Sequence, residues 1–185
     1  MRIAVSGSHG TGKSTLIAAF IERRPRYRHE AEAFETLGDE VDLADGVPTP
    51  EGLELLLRWT AAAVARHEPG SDVIHERSPV DYLAYAAARR RCWATGAGAG
   101  FAKALAPVVR DALGHLDLIA FVPVAPAVPG RPGEDARFRR RVDRELGRAL
   151  LDDEYGLLAG AGPAVVELPP QPERRLAELL RRTNA

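Results

Sequence analysis

Ile3-Ala4-Val5-Ser6-Gly7-Ser8-His9-Gly10-Thr11-Gly12-Lys13-Ser14-Thr15-Leu16-Ile17-Ala18-Ala19-Phe20 lies at the head of the chain and decides how the rest is read. A short apolar run, a glycine-rich turn and a second apolar run predict a buried strand, a tight loop and a helix. Gly7, Gly12, Lys13 and Ser14 satisfy the spacing G-x-x-x-x-G-K-[ST]. Glycines let backbone curl around an anion with its N–H groups turned inward, and a helix N-terminus adds partial positive charge at the same point. Gly7, Ser8, His9, Gly10, Thr11, Gly12, Lys13, Ser14 and Thr15 are therefore the expected polyphosphate cradle. Lys13 would reach the β- and γ-phosphates, and the Ser14 hydroxyl would help to hold Mg²⁺. Only Lys13 and Lys103 among the 25 basic residues are lysine, so composition alone produces this pattern in about one such sequence in a thousand.

The 185 residues suit one domain with a sizeable core, 45% of them hydrophobic, and the net charge is −1. That balance gives no reason to expect nucleic acid or an anionic membrane as a partner. The single Cys92 excludes an internal disulfide framework and a multi-cysteine zinc site, and suits a reducing cytoplasm. The first apolar run is too short for a signal peptide, and none approaches the roughly 20 residues of a membrane span. The expectation is a soluble, cytoplasmic protein, monomeric or homodimeric, with no nucleic-acid or membrane partner.

After the first helix, stopped near Arg23-Arg24-Pro25, residues 27–33 alternate loosely and fit a second strand ending in acid. Ligands in an open parallel sheet sit outside the carboxyl ends of its strands. Glu30 or Glu32 then faces the phosphate loop, with Glu30 preferred as the catalytic carboxylate; Ala31 to Leu37 equally fits the start of a helix. Gly38 to Pro50 reads as a surface connection, and Thr49-Pro50-Glu51 as a capped helix start. Leu53, Leu56, Leu57, Thr60, Ala61 and Val64 give that helix its buried stripe. Trp59 either lines an acceptor pocket or packs, and packing is the expectation.

Asp72-Val73-Ile74-His75-Glu76-Arg77-Ser78-Pro79 is the second informative stretch: a short strand that delivers charge to a helix capped by Ser78 with proline at its first position. Beside the first strand, Glu76 would hold Mg²⁺ or its water and Arg77 would grip phosphate oxygens, while His75 would be packed. Arg89-Arg90-Arg91 reads as a solvated helix end, and Ala102 to Leu113 as a helix interrupted or started at Pro107. Leu116 to Val124 is a central strand. The loop 126–134 carries Arg131, and the helix after it places Phe138, Val142, Leu146, Ala149 and Leu150 on one face with arginines, Arg139 among them, over the rest. Each arginine taken singly fits a solvated face; the segment 125–150 as a whole fits a small Arg-rich lid that closes over phosphates through Arg131 and Arg139. Ala164 to Leu168 is a fifth strand, before a closing helix from Glu173.

Strands alternating with helices, with the phosphate loop after the first, predict a three-layer α/β/α domain around a five-stranded parallel sheet spanning residues 1–185. The chain resembles the nucleoside/nucleotide-kinase-like branch of P-loop NTPases, and within it is most similar to the small, AAA-like ATPases related to ribosylnicotinamide kinase. The residues that carry this are the loop Gly7 to Thr15, the acid near Glu30, Glu76-Arg77-Ser78 with Asp81-Tyr82-Leu83-Ala84-Tyr85, the Leu116-Asp117-Leu118-Ile119 strand and the Arg131 loop with its helix. The resemblance implies ATP, Mg²⁺ and transfer of the γ-phosphoryl group to a small hydroxyl or phosphate acceptor. It implies Glu30 as the base that takes the acceptor's proton, Arg77 as a ligand of phosphate or acceptor, and Glu76 beside the metal. The chain departs from nucleoside kinases in its side-chain amides, which are only Gln171 and Asn184. With Asn184 the sole asparagine there is no guanine-reading Asn-Lys-x-Asp, and no Leu-Ser-Gly-Gly-Gln transporter signature is present. The expected function is a Mg-dependent small-molecule kinase; the alternative is an ATPase or ATP-binding switch acting on a protein partner. A cavity beside the acid, lined by residues such as Trp59, Tyr82 and Tyr85, would favour the kinase, and a flat surface there the switch.

Overall fold

A computed structural model describes residues 1–44, 47–89, 97–125, 135–158, 160 and 162–183. Five strands, β1 (Arg2–Ser6), β2 (Arg28–Glu30), β5 (Val73–Glu76), β6 (Leu118–Phe121) and β7 (Ala164–Glu167), form one parallel sheet in the order β2-β5-β1-β6-β7. The described helices are α1 (Lys13–Arg23), α2 (Ala33–Leu37), α3 (Pro50–Ala65), α4 (Pro79–Arg89), α5 (Ala97–Leu113), α6 (Ala136–Leu150) and α7 (Pro172–Arg182).

Alternation along the strands builds both layers. In β1, Ile3 and Val5 face a core with Leu16, Ile17 and Phe20 of α1 and Leu179 of α7, whereas Ala4 faces the core of α3 to α6. In β6, Leu118 and Ala120 take the first side, Ile119 and Phe121 the second. Central strands apolar on both faces require helices on both, so the sheet is covered by α1 and α7 on one side and by α3, α4, α5 and α6 on the other.

Two expectations change. Pro107 neither starts nor ends a helix: α5 runs through it, because Phe101, Leu105, Val109, Ala112 and Leu113 bury one continuous face. The surface connection after α2 contains a 3₁₀ turn (Gly38–Glu40) and a two-stranded hairpin of β3 (Leu43–Ala44) and β4 (Val47–Pro48). Residues 27–37 satisfy both readings at once, a three-residue strand followed by α2. Thr49 caps α3 as expected, its hydroxyl accepting the Gly52 N–H at 3.1 Å.

His75 is packed inside β5, 2% exposed, with Nε2 buried and unpartnered among the described residues. Its ring meets His67 edge-on at 5.2 Å. Burial, reinforced by His67 and Arg66, pushes the imidazole down to about 3. Below its unfolded pKa near 6.5 the unfolded chain binds a proton that the folded chain refuses, so stability falls as pH drops from there towards 3, by about 1.4 kcal/mol per pH unit from this group. Urea unfolding of native protein and His75→Phe at pH 7 and pH 4.5 checks this. The variant should lose less stability on acidification; equal losses would refute the assignment.

Candidate active site

β1 ends at Ser6 and the chain turns through residues 7–12 into α1. At Gly7 a Cβ would stand 2.6 Å from the Val122 carbonyl oxygen and 3.0 Å from Thr11 Oγ1, so no side chain fits. Gly10 and Gly12 have φ of 66° and 88°, the left-handed region that glycine occupies without strain. The Thr11 hydroxyl and the Lys13 ammonium both donate to the Ser8 carbonyl, each at 3.0 Å, closing the loop over its own lysine. Lys13 is 4% exposed, and burial, with Arg77 adding to it, pushes its ammonium down to about 8. The first-turn N–H groups of α1 have no intrahelical acceptor, so the loop is a concave donor surface backed by a cation.

The parallel pairing of β1 with β5 sets Val5 opposite Glu76 and brings the second motif to the loop. Ser14 Oγ donates to Glu76 Oε1 at 2.8 Å, which puts a hydroxyl and a carboxylate, both hard oxygen ligands, side by side. This donor set fits Mg²⁺. Arg77 follows with φ of 76°, uncommon for a residue with a side chain, and its own N–H donates to the Val5 carbonyl at 3.0 Å. That turn aims its buried guanidinium back under the loop, where Nη1 donates to the Gly7 carbonyl at 3.0 Å and Nε pairs with Glu32.

Asp81 ties the two motifs together. It is fully buried: Oδ1 accepts the Gly7 N–H at 3.0 Å and an Arg77 contact at 3.3 Å, and Oδ2 accepts the Ser78 N–H and hydroxyl at 2.9 and 3.1 Å. Ser6 Oγ completes the net by donating to Ser78 Oγ at 2.8 Å. Sequence reasoning assigned Asp81 no role, yet Ser78-Pro79-Val80-Asp81 has the capping-box spacing that would have found it.

A cavity of about 570 Å³ opens beside the loop. Glu32, Arg77, Tyr82, Tyr85 and His9 form one side, and Leu53, Leu56, Val47 and Pro48 supply apolar wall. The Tyr85 hydroxyl accepts the His9 N–H at 3.0 Å and contacts His9 Nδ1 at 2.9 Å, while Phe138 stacks on the His9 ring at 6.2 Å. A second, more open hollow of about 720 Å³ lies between the ends of β6 and β7 and helix α7, lined by Pro123, Val124, Leu168, Pro169 and Pro170 among others.

Lys13, Ser14, Glu76 and Arg77 thus converge, but Glu30 does not join them. Its carboxylate lies 2.8 Å from Arg28, 3.4 Å from His67 Nε2 and 3.6 Å from Arg66, and it does not line the cavity. Because β2 stops at Glu30 and the chain then bends into α2, it is Glu32 that meets Arg77 and lines the cavity. Trp59 does not line it; the indole packs against the core beneath Arg66. Arg131 lies outside the described residues. Arg139 is on the buried side of α6 with Val142 and Leu146, not on a solvated face. Helix α6 packs on α4, so its apolar face belongs to the domain core.

Sequence reasoning also missed Arg175. Its guanidinium, 4% exposed, donates to three backbone carbonyls: Thr11 in the loop at 2.7 Å, Pro169 at 2.9 Å and Pro123 at 3.4 Å. No sequence pattern distinguishes it from the solvated Arg181 and Arg182 on the same helix.

The strand order and the glycine loop after β1 define a P-loop three-layer α/β/α fold, with the Glu-Arg-Ser turn after β5 beside the loop. Among solved structures the chain is similar to deoxyadenosine kinase from M. mycoides: with bound dATP the TM-score is 0.68 at 13% identity over 100% of both chains. With the products dCMP and dCDP the TM-score is 0.69 at 14% identity, covering 100% of this chain and 99% of that one. A NadR protein in complex with NR is similar at a TM-score of 0.61 and 20% identity, over 90% of this chain and 45% of that one. No family model and no curated protein sequence matches the chain. The likeness is therefore one of fold.

Proposed function

We propose that the protein is a Mg-ATP-dependent phosphotransferase that passes the γ-phosphoryl group to a small acceptor bound in the cavity beside Glu32. The observation that carries this is the cavity itself, which sets a carboxylate–guanidinium pair next to the phosphate loop. A plain ATP switch has no need of such a space, as a kinase does.

Bound Mg²⁺ supplies charge neutralisation on the phosphates, and Ser14 and Glu76 are the residues that would hold it. The amides of residues 7–15 and the Lys13 ammonium bind and orient the polyphosphate. The hollow by Pro123 and Pro169 offers the donor's base an apolar seat one guanidinium away from Thr11. Glu32 accepts the proton of an acceptor hydroxyl as its oxygen bonds to phosphorus and ADP leaves. Arg77 orients Glu32 from beneath and adds positive charge near the transferred group. Arg139, buried on the core side of α6, gives up its assignment as a lid arginine, which leaves the lid role to Arg131, whose replacement by alanine should slow transfer more than it weakens ATP binding.

Purified protein with Mg-ATP, offered nucleosides, nucleotides, nicotinamide riboside and sugars in turn, tests the reading through ADP release. One acceptor class should raise turnover well above the acceptor-free rate. ADP release that no acceptor stimulates would instead leave the ATPase switch.

A further inference from the structure

The cavity carries a second group of charges apart from the Glu32–Arg77 pair. Two guanidiniums lie on the Phe138 ring, Arg89 at 5.3 Å and Arg141 at 5.7 Å from its centroid, and both line the cavity. Arg89 Nη1 donates to the Pro48 carbonyl at 3.2 Å, and Arg141 Nε is buried with no hydrogen-bond partner among the described residues. Among those residues no carboxylate lies within ion-pair distance of either, although Asp135 and Arg141 attract each other through space. The carboxylates of the lining are already engaged: Glu32 with Arg77, and Asp135 as the cap of α6, accepting the N–H groups of Arg137 and Phe138 at 2.8 and 3.0 Å. Deeper in, the buried Tyr82 hydroxyl faces that of Thr60.

An unpartnered guanidinium N–H beside a concave site asks for an acceptor atom, and guanidinium forks match carboxylate and phosphate oxygens. The chain's single glutamine, Gln171, sits at the start of α7 and is not part of the lining. Charge, not amide hydrogen bonding, is what this cavity has available to select a ligand.

We propose that the acceptor is itself an anion: a ring-bearing small molecule whose phosphate or carboxylate is held by Arg89 and Arg141 while its ring packs on the apolar wall at Leu53 and Leu56. The word acceptor rests on the phosphotransferase reading; the selection for negative charge does not. Neutral relatives of such a molecule bind weakly, and cationic ones are repelled by the arginine pair.

Equilibrium titration without ATP tests this with uridine, uridine 5′-monophosphate and orotidine, which differ in carrying no charge, a phosphate or a ring carboxylate. At least one anion should bind about tenfold or more tightly than uridine, and added salt should erode that preference. Preference for the monophosphate assigns a phosphate, and preference for orotidine a carboxylate. Arg89→Gln and Arg141→Gln should each remove most of the preference with uridine affinity kept, and the lysine variants should retain part of it. Equal binding of all three, no binding of any, or variants that weaken ATP as much as the anion would overturn the proposal, the last by giving these arginines to the donor's phosphates. An anion preference without acceptor-stimulated ADP release would sink the kinase reading and leave this one standing.

Discussion

Lys13→Ala should abolish ATP turnover and weaken ATP binding roughly 30-fold or more. Lys13 is the buried ammonium in the cradle, held at 3.0 Å from the Ser8 carbonyl. Removing one member of a buried charge-assisted pair costs about 2–5 kcal/mol, which sets the expected loss of affinity. The residue is not needed to shape the loop, since Gly7, Gly10 and Gly12 and the Thr11–Ser8 hydrogen bond do that, so the variant should fold. A second readout follows from its depressed pKa. The proposed ATP contact needs the protonated lysine, which in the free protein is half deprotonated near pH 8, so native affinity should decline as pH rises through that point. Calorimetric titration at pH 7 and 9 measures both effects; an alanine variant with native affinity would remove the phosphate loop from the mechanism.

Glu32→Gln should cut phosphoryl transfer by about 10²–10⁴-fold while leaving ATP affinity nearly unchanged. Glutamine keeps the size and an acceptor oxygen for Arg77, but cannot take a proton from a hydroxyl. Arg77 retains Asp81 and the Gly7 carbonyl as partners, so the turn beneath the loop persists. Glu30→Gln is the matched control, because that carboxylate belongs to the Arg28, Arg66 and His67 cluster outside the cavity. Transfer lost in Glu30→Gln and kept in Glu32→Gln would return the base to Glu30. A phosphate acceptor would show itself differently, since it has no hydroxyl proton to lose and tolerates glutamine at position 32.

The fold was legible because it is written locally. The strand at Ile3 to Val5, the run at Leu118 to Phe121 and the glycine loop each specify their conformation within a few residues. The approach of Glu76 to the phosphate loop was legible too, since a parallel sheet sets the end of β5 beside the end of β1. The choice between Glu30 and Glu32 was not legible, because it depends on which of two carboxylates Arg77 reaches after β2 has ended. Pro107 was misread since its backbone rule is local while the burial of α5 is not. Arginine carries the least positional information: Arg139 and Arg175 are buried and Arg181 is solvated, with nothing in their neighbours to say so. Asp81 was readable in principle from the capping-box spacing.

The hold of Arg175 on Thr11 joins residues 164 positions apart. The glycine loop after β1 is therefore braced by a helix that follows every strand of the sheet. A polypeptide emerging from the ribosome, or one clipped ahead of α7, has every loop residue and the glycines that shape them, yet leaves the Thr11, Pro123 and Pro169 carbonyls without their shared donor. Loss of α7 therefore unties the loop at Thr11 although no loop residue is changed.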